Sequence, residues 1–373
     1  MNSWQTLIEI DTFVSVGYET MRQKTGRRTV NRPTIPDLAA AAGVSVATVN
    51  RVLSGTGTVR QSTAQGVVDA AQQIGFYGLR ALQHRIATSA RQVFKFGIVL
   101  QSPHRSFTEM LASNLERAGS ESAEGDVRLT IEVVEDLSPE RVVSIMNALS
   151  SDADALAIVA PDHPIVSETI DRLGDKGMPV VDLISPISAR VPVGYVGLDS
   201  WKVERASAWA LANTSRRPGK LAILIGTHRF RNHDLNKSGF RSYFRENEGE
   251  FVILESISTF ESDAIAREVT EKLLRDHPDS CGIAIFCGGV SGVLAALRSR
   301  KSTQAIRAVS YDLFDSTIAG LVDHTLTMVI AHPYERVARE AIATLVRTRR
   351  NAEPQAVGQS VHVPFELHTV ETI

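Results

Sequence analysis

Residues 34–53 read TIPDLAAAAGVSVATVNRVL, and this stretch has the pattern of two helices joined by a glycine turn. Thr34 and Asp37 have the spacing of a helix N-cap and its acidic partner, which predicts that a first helix begins here. Gly43 is expected to end this helix, because glycine adopts a positive φ at little cost. Ser45 then supplies the N-cap of a second helix.

The second helix has one apolar face and one outward face. Val49 and Val52 are spaced to contact the first helix, which leaves small and polar side chains pointing outward. In a DNA major groove, arginine pairs with guanine, asparagine with adenine, and small apolar groups touch thymine methyls. We predict a DNA-contacting surface, with an ordinary helix pair inside a core as the alternative. The predicted DNA-binding residues of this surface are Thr34, Ser45, Val46, Ala47, Thr48, Asn50 and Arg51.

A third helix is predicted at residues 61–75, QSTAQGVVDAAQQIG, with a cap at Ser62 or Thr63. Three short helices form a headpiece at residues 33–77. The apolar face of the third helix comprises Ala64, Val67, Val68, Ala71 and Ile74.

This headpiece resembles that of the lactose repressor (LacI/GalR) family. The resemblance implies that Val46 and Ala47 occupy two specificity positions at the start of the recognition helix, and that Arg51 is a third base-contacting residue. The matching residues are Asp37, Ala39, Ala42-Gly43-Val44-Ser45, Thr48-Val49, Arg51-Val52-Leu53, and Val67 with Ala71.

Charge and composition divide the chain into unlike parts. Residues 1–95 carry 11 Lys and Arg against 5 Asp and Glu, although the whole chain of 373 residues has a formal net charge of −2. A basic part favours phosphate, and a chance excess on a solvated surface is the alternative. The length predicts more than one domain.

Composition also argues against several classes of protein. No apolar run approaches the roughly 18 residues of a membrane span, and the start, MNSWQTLIEIDTF, makes a poor signal peptide. Two cysteines, Cys281 and Cys287, suggest neither a disulfide framework nor a structural zinc site. We expect a cytoplasmic protein with no membrane association and no cofactor.

Two segments flank the headpiece. Residues 1–32 lie outside the family pattern, and both a basic DNA-contacting arm and an unstructured start are open interpretations. Residues 78–93 stand where the family has a hinge helix that enters the minor groove. The usual Pro-Asn is Gly78-Leu79 here, and the usual wedge leucine is Arg85. We predict that Arg80 and Arg85 contact DNA, with a plain linker helix packed on the core through Leu82 and Ile86 as the alternative.

From residue 94 to residue 373, short apolar runs alternate with helical patterns, which is typical of an α/β fold. Unbroken Val, Ile and Leu runs indicate parallel sheets covered by helices on both faces. Ligands bind such sheets beyond the carboxyl ends of the strands. The runs are FKFGIVLQ, LTIEVV, ALAIVAP, PVVDLI, GYVGLD, KLAILIG, FVILESI, CGIAIFCGG, IRAVSYD and LTMVIAH.

This order resembles the type I periplasmic-binding-protein core of the same family, in which two subdomains close on a small molecule, frequently a sugar. The resemblance is best at residues 197–200, 239–241 and 310–312. Sugars need paired hydroxyls and an aromatic face, although an Asp after a strand is also common as a helix N-cap. The predicted effector-binding residues are Ser102, Phe107, Asp162, Asp182, Arg229, Asn236, Asp312 and His332.

Three departures from the family concern the effector. Asn236 stands for an expected arginine, a polar residue near Val290 is missing, and Ala331 or His332 stands for an expected glutamine. Either the effector differs from a common free sugar, or neighbouring side chains replace the lost contacts. Those neighbours are His228, Arg229, Arg231 and His233, whose spacing beside His332 does not favour a metal site.

The resemblance implies a homodimer on a pseudo-palindromic operator, with reciprocal coupling between effector and DNA. We expect a sequence-specific transcriptional regulator, commonly a repressor in this family, with operator DNA and a carbohydrate as partners. A periplasmic-type sugar-binding receptor and a cytoplasmic enzyme are the alternatives. The enzyme is disfavoured because CGGVSGV at residues 287–293 lacks both a nucleophile elbow and a P-loop lysine, so no catalytic residue is predicted.

Overall fold

The computed structural model describes residues 32–54, 59, 61–80, 82–83, 92–101, 105–136, 138–226, 230–247, 249–300, 305–350 and 358–373. The chain divides into two compact units, residues 1–90 and 91–373. The predicted amino-terminal arm before Arg32 lies outside the described residues, as do Arg85 and Ile86 of the predicted hinge.

The first unit contains the three predicted helices. They are α1 (Ile35–Ala41), α2 (Val46–Ser54) and α3 (Gln61–Gln73). The apolar faces predicted from helical spacing meet in one buried cluster. The cap predicted at Ser62 or Thr63 is wrong, because both residues lie inside α3.

The segment after α3 continues the headpiece. Gly75 has a φ of +67°, and Phe76 behind it is buried. Leu82 is fully buried in the same apolar cluster as Phe76, and its N–H donates to the carbonyl of Gly78 at 3.0 Å. The alternative that packed Leu82 on the core is therefore wrong, because the turn at Gly75 brings Leu82 back onto the headpiece.

The second unit is built on two sheets. The first sheet has the order β12-β5-β4-β3-β1-β2, and all its strand pairs are parallel. Its strands are β1 (Val93–Gln101), β2 (Asp126–Val134), β3 (Ala155–Val159), β4 (Val180–Leu183), β5 (Gly194–Gly197) and β12 (Ser360–His362).

The second sheet has the order β13-β11-β10-β9-β6-β7, and β8 pairs with β6. It is parallel except for β13, which runs antiparallel to β11. Its strands are β6 (Lys220–Ile225), β7 (Val252–Ile253), β8 (Ile257–Ser258), β9 (Ser280–Phe286), β10 (Arg307–Tyr311), β11 (Met328–Ala331) and β13 (Glu366–His368).

Helices cover both faces of each sheet, as the unbroken apolar strands predict. The first sheet packs against α4 (Arg105–Ser120), α5 (Pro139–Leu149), α6 (Pro164–Asp175) and α12 (Tyr334–Arg350). The second sheet packs against α7 (Ser200–Thr214), α8 (Arg231–Glu246), α9 (Asp263–Asp276), α10 (Val290–Arg298) and α11 (Asp315–Val322). The predicted α/β class with parallel sheets is confirmed.

The chain crosses between the two sheets three times, after β5, β11 and β12. Each sheet with its helices forms a subdomain. The three crossings form the hinge between the subdomains, which is distinct from the predicted hinge helix at residues 78–93. Within the described ranges, no helix is long and apolar enough to cross a membrane.

Candidate functional site

The start of α2 is fixed by its N-cap. Gly43 has a φ of +66°, the conformation predicted for the turn, and Ser45 follows as the cap. The N–H of Thr48 donates to Oγ of Ser45 at 3.2 Å, and the two hydroxyls lie 2.9 Å apart. The cap sets the first turn of α2, so it positions the residues at the front of this helix.

The outward face of α2 is the one predicted from spacing. Val49 and Val52 are buried against the other headpiece helices, whereas Val46 is 42% exposed. Ala47, Asn50 and Arg51 are exposed beside it. One side of α2 thus presents an apolar pair, an amide and a guanidinium to the outside.

Thr34 and Arg80 complete the described part of the predicted DNA surface. The Asp37 carboxylate accepts hydrogen bonds from the Thr34 hydroxyl at 2.6 Å and from its N–H at 2.8 Å. These bonds lower the pKa of Asp37. The Thr34 side chain is therefore committed to the start of α1, while Arg80 is exposed in the segment after α3.

In the core, Asp312 and His332 meet at the carboxyl edge of the second sheet. Asp312 follows β10 with a φ of +55°, and His332 follows the neighbouring β11. Oδ1 of Asp312 accepts from the N–H of His332 at 2.8 Å and lies 2.9 Å from its Nδ1. Burial raises the pKa of Asp312, but the charge and hydrogen bonds of His332 outweigh it and hold that pKa below its usual value.

An aromatic cluster surrounds this pair and joins the two subdomains. The ring of Phe107, on α4, lies 6.2 Å from His332 and 5.9 Å from Tyr334. Tyr311 lies 6.3 Å from His332 and 5.5 Å from Phe286. The structure therefore brings together Phe107, Asp312 and His332, three of the predicted effector residues. Of the two residues that could stand for the expected glutamine, Ala331 is buried at the end of β11 and His332 belongs to this cluster, so the choice between them stays a prediction.

The sequence reading missed Glu204. This residue of α7 is fully buried, and one carboxyl oxygen bonds the Tyr311 hydroxyl. The other oxygen has no hydrogen-bond partner among the described residues. Burial raises the pKa of Glu204 well above its ordinary value. Helical spacing could have located it, because Glu204 shares a face with the apolar Ala208 and Leu211.

Asp162 and Asp182 contact a different part of the core, the loop between β4 and β5. Asp162 accepts from the N–H of Ser188 at 3.1 Å and from its hydroxyl at 2.7 Å. Asp182 accepts from the N–H of Ile187 at 2.7 Å. Neither acid is the cap of α6, which is His163. Their predicted effector contacts stay predictions.

Several predicted residues lie outside the described part of the structure. They are Ser102, His228 and Arg229, together with the side chains of Arg231, His233 and Asn236 at the start of α8. In the described ranges, no group of three or more acids, histidines or cysteines could hold a metal ion.

Comparison with known proteins identifies both units. Residues 96–352 match the family described as "Periplasmic binding protein domain", and residues 34–78 match "Bacterial regulatory proteins, lacI family". The chain is a LacI-family regulator with a periplasmic-binding-protein core. The family predicted from the headpiece residues is thereby confirmed, and so is the two-part architecture.

The relatives of this LacI-family regulator extend over both units. The HTH-type transcriptional regulator DegA of Bacillus subtilis is 23% identical over 344 residues, which cover 90% of this chain and 96% of DegA. CelR of Thermobifida fusca, also an HTH-type transcriptional regulator, is 25% identical over 343 residues, with 89% and 97% covered. The ribose operon repressor of B. subtilis is 24% identical over 328 residues, with 84% and 90% covered.

Solved structures share the core fold. GanP, a glucose-galactose binding protein from Geobacillus stearothermophilus, superposes with a TM-score of 0.68 at 17% identity. The superposed residues cover 75% of this chain and 99% of the GanP chain. A solute-binding protein from Actinobacillus succinogenes with bound D-allose gives a TM-score of 0.65 at 19% identity, with 74% and 98% covered. At these identities the likeness shows the fold alone.

Proposed function

We propose that this LacI-family regulator is a cytoplasmic repressor whose affinity for an operator is controlled by a carbohydrate. The observation that supports the proposal is that one chain combines two elements. The first is the exposed face of α2, and the second is a two-subdomain core with an aromatic cluster where the subdomains meet. The first element is suited to reading DNA bases, and the second to binding a small polar ring.

The DNA half of the proposal depends on Val46, Ala47, Asn50 and Arg51. An exposed apolar pair fits thymine methyls, and the guanidinium of Arg51 fits the edge of guanine. Two headpieces of a homodimer would read the halves of a pseudo-palindromic operator, because twofold protein symmetry matches twofold DNA symmetry. Arg80 and Arg85 would add contacts beside each half-site.

The effector half depends on the aromatic cluster. Phe107 offers an aromatic face for the C–H surface of a sugar ring, and it comes from the first subdomain. His332 comes from the second subdomain and offers its ring nitrogen Nε2, and Tyr311 adds a second ring from that subdomain. A carbohydrate held between them would contact both subdomains and so favour one hinge angle over others. The names of several relatives and neighbours, which include ribose, galactose and allose, support this class of effector.

His332 is the polar group that this site offers to an effector. Both oxygens of Asp312 lie within about 3.1 Å of the His332 ring, so this acid is already engaged by the protein. The effector would meet the imidazole, which Asp312 orients, instead of a free carboxylate. Because a carboxylate only accepts hydrogen bonds, Nδ1 donates to Asp312, and the ring offers Nε2 to the hydroxyl of a sugar or sugar derivative.

The experiment is a selection of bound fragments from random and genomic DNA by the full-length protein, with and without a panel of pentoses, hexoses and sugar acids. We expect a palindromic motif whose enrichment changes with one class of sugar. Binding without sequence preference at moderate salt would exclude the regulator proposal. A motif that no sugar alters would leave the DNA half standing and exclude the carbohydrate half.

A further inference from the structure

A second cavity lies at the first crossing between the subdomains, and the proposed function does not use it. Its volume is about 380 Å³, which is within the usual range for small-molecule sites. Ile187 and Tyr195 line it from the first subdomain, and Trp201 lines it from the start of α7 in the second. Its polar groups include Asp182, Asp199 and His362.

The outer wall of this cavity is the loop at residues 186–193, and acidic side chains hold it in place. Asp182 and Asp162 bind the backbone of Ile187 and Ser188, as described above. Asp171 accepts from the N–H of Arg190 at 2.7 Å and of Val191 at 3.0 Å. A wall fixed by four backbone hydrogen bonds needs little ordering when a ligand binds.

The opposite side is an aromatic residue that the protein leaves exposed. Trp201 is 43% exposed. It lies beside a cavity whose apolar lining includes Ile187, Val191 and Val193. Tyr195 is buried at the base, where its hydroxyl bonds the carbonyl of Leu198 at 2.9 Å. An indole face next to aliphatic walls can hold the apolar body of an organic ligand.

Two acids, Asp182 and Asp199, line the cavity beside one histidine, His362. Asp182 is 2% exposed, and Asp199 caps α7 through the N–H of Lys202 at 3.2 Å. Lys202 pairs with Asp199 from outside the cavity, and neither a lysine nor an arginine belongs to the lining in the described part of the chain. Carboxylates combined with an aromatic face favour an organic cation, because the indole quadrupole and the acids attract the same charge.

We propose that this hinge cavity binds a small organic ammonium compound with an apolar body, at a site separate from the carbohydrate cleft. Asp182, predicted from sequence to face the cleft effector, would serve this second ligand. Because Trp201 and Tyr195 belong to different subdomains, the ligand would favour the hinge angle that brings them together. It would thereby act as a second input on the conformation of the core.

The probe is 2-phenylethylammonium, and its neutral analogue 2-phenylethanol is the matched control. We expect calorimetry on the full-length protein to show saturable binding of the ammonium, with the alcohol weaker by about tenfold. Saturation should also change the tryptophan fluorescence, because Trp201 lines the cavity.

Variants locate the site. Ala189→Trp, which fills the cavity from the loop, should abolish binding of the ammonium. Trp201→Ala should weaken this binding at least as much as the replacement of the ammonium by the alcohol does. Trp209→Phe is the control, because Trp209 is 54% exposed on the same helix and is not part of the lining. The ammonium titration contains neither sugar nor DNA, so its outcome does not depend on the proposal above.

Three outcomes would overturn the proposal. They are equal affinities for the ammonium and the alcohol, no heat of binding with either probe, or unchanged binding in both Ala189→Trp and Trp201→Ala. Circular dichroism of each variant shows whether a loss of binding reflects the site or a loss of fold.

Discussion

His332 reaches Asp312 through two different atoms, its backbone N–H at 2.8 Å and its ring Nδ1 at 2.9 Å. The pair ties the end of β10 to the end of β11, at the point where the chain leaves the second sheet for α12. Tyr334, two residues on, is already part of the first subdomain core. A change in the Asp312–His332 contact is therefore also a change at the hinge.

Asp312→Asn tests how much this pair stabilises the core. The amide keeps the shape of the carboxylate but loses its charge, so we expect unfolding to become easier by about 1–3 kcal/mol, typical for hydrogen bonds to a buried charged group. Urea denaturation at pH 7 measures the change. Asp315→Asn, an exposed acid at the start of α11, is the control and should alter stability by less than about 0.5 kcal/mol.

The same variant has an expected pH dependence. The folded-state pKa of Asp312 is lowered, so the stabilisation is present above the ordinary Asp pKa of about 4 and is lost as the pH falls through the folded value. The stability difference between wild type and Asp312→Asn should therefore shrink below about pH 4. A constant difference from pH 7 down to pH 3 would contradict the assigned pKa direction.

Glu204→Gln should change the pH dependence of stability in the opposite direction to Asp312→Asn. Burial raises the pKa of Glu204, so the folded state binds its proton more tightly than the unfolded state does. Wild-type stability should then fall as the pH rises above the ordinary Glu value, up to the raised pKa. The glutamine variant retains a bond to Tyr311 and lacks this slope, so it should be the more stable form at pH 8. Thermal unfolding at pH 5 and pH 8 checks this, with the exposed Glu250→Gln as control.

The headpiece could be predicted because its signals are local. Thr34, Gly43 and Ser45 fix helix ends within a few residues, and the spacing of Val49 and Val52 fixes the buried face. The α/β class likewise follows from the alternation of apolar runs and helical patterns. The place of Leu82 stayed open in the sequence analysis, because its partner depends on the turn at Gly75, which sets the direction of the chain.

The sequence does not tell which acids of the core hold a loop and which lie at the aromatic cluster. Asp162 and Asp312 both follow buried strands, but one holds the loop after β4 and the other binds His332. The difference arises from tertiary placement, which no local pattern encodes. Glu204 differs from these acids, because its spacing from Ala208 and Leu211 marks the buried face, although a carboxyl in a helix is ordinarily expected to face water.

Leu82→Ala tests whether the segment after α3 belongs to the headpiece. Removing a fully buried leucine should destabilise the headpiece by about 2–5 kcal/mol, and the core should be unaffected. Limited proteolysis should then release a core fragment that starts near residue 91 faster than in wild type. Arg80→Ala is the control, because this exposed side chain should weaken DNA binding without speeding cleavage. Equal protease resistance in both variants would show that Leu82 contributes little to the headpiece.

Arg51→Ala tests the recognition surface itself. Arg51 is exposed on α2 beside Asn50 and one turn from Ala47, where a guanidinium can pair with a guanine edge. We expect the variant to bind the selected operator about 5–150-fold more weakly, which corresponds to roughly 1–3 kcal/mol, and to lose its preference at a single base pair of each half-site. The measurement is repeated on operators that carry each substitution at that position. Arg80→Ala gives the contrasting pattern expected of a phosphate contact, a similar loss on every sequence with a smaller salt dependence. If Arg51→Ala shows that uniform pattern too, Arg51 contacts the DNA backbone, and base selection falls to Val46, Ala47 and Asn50.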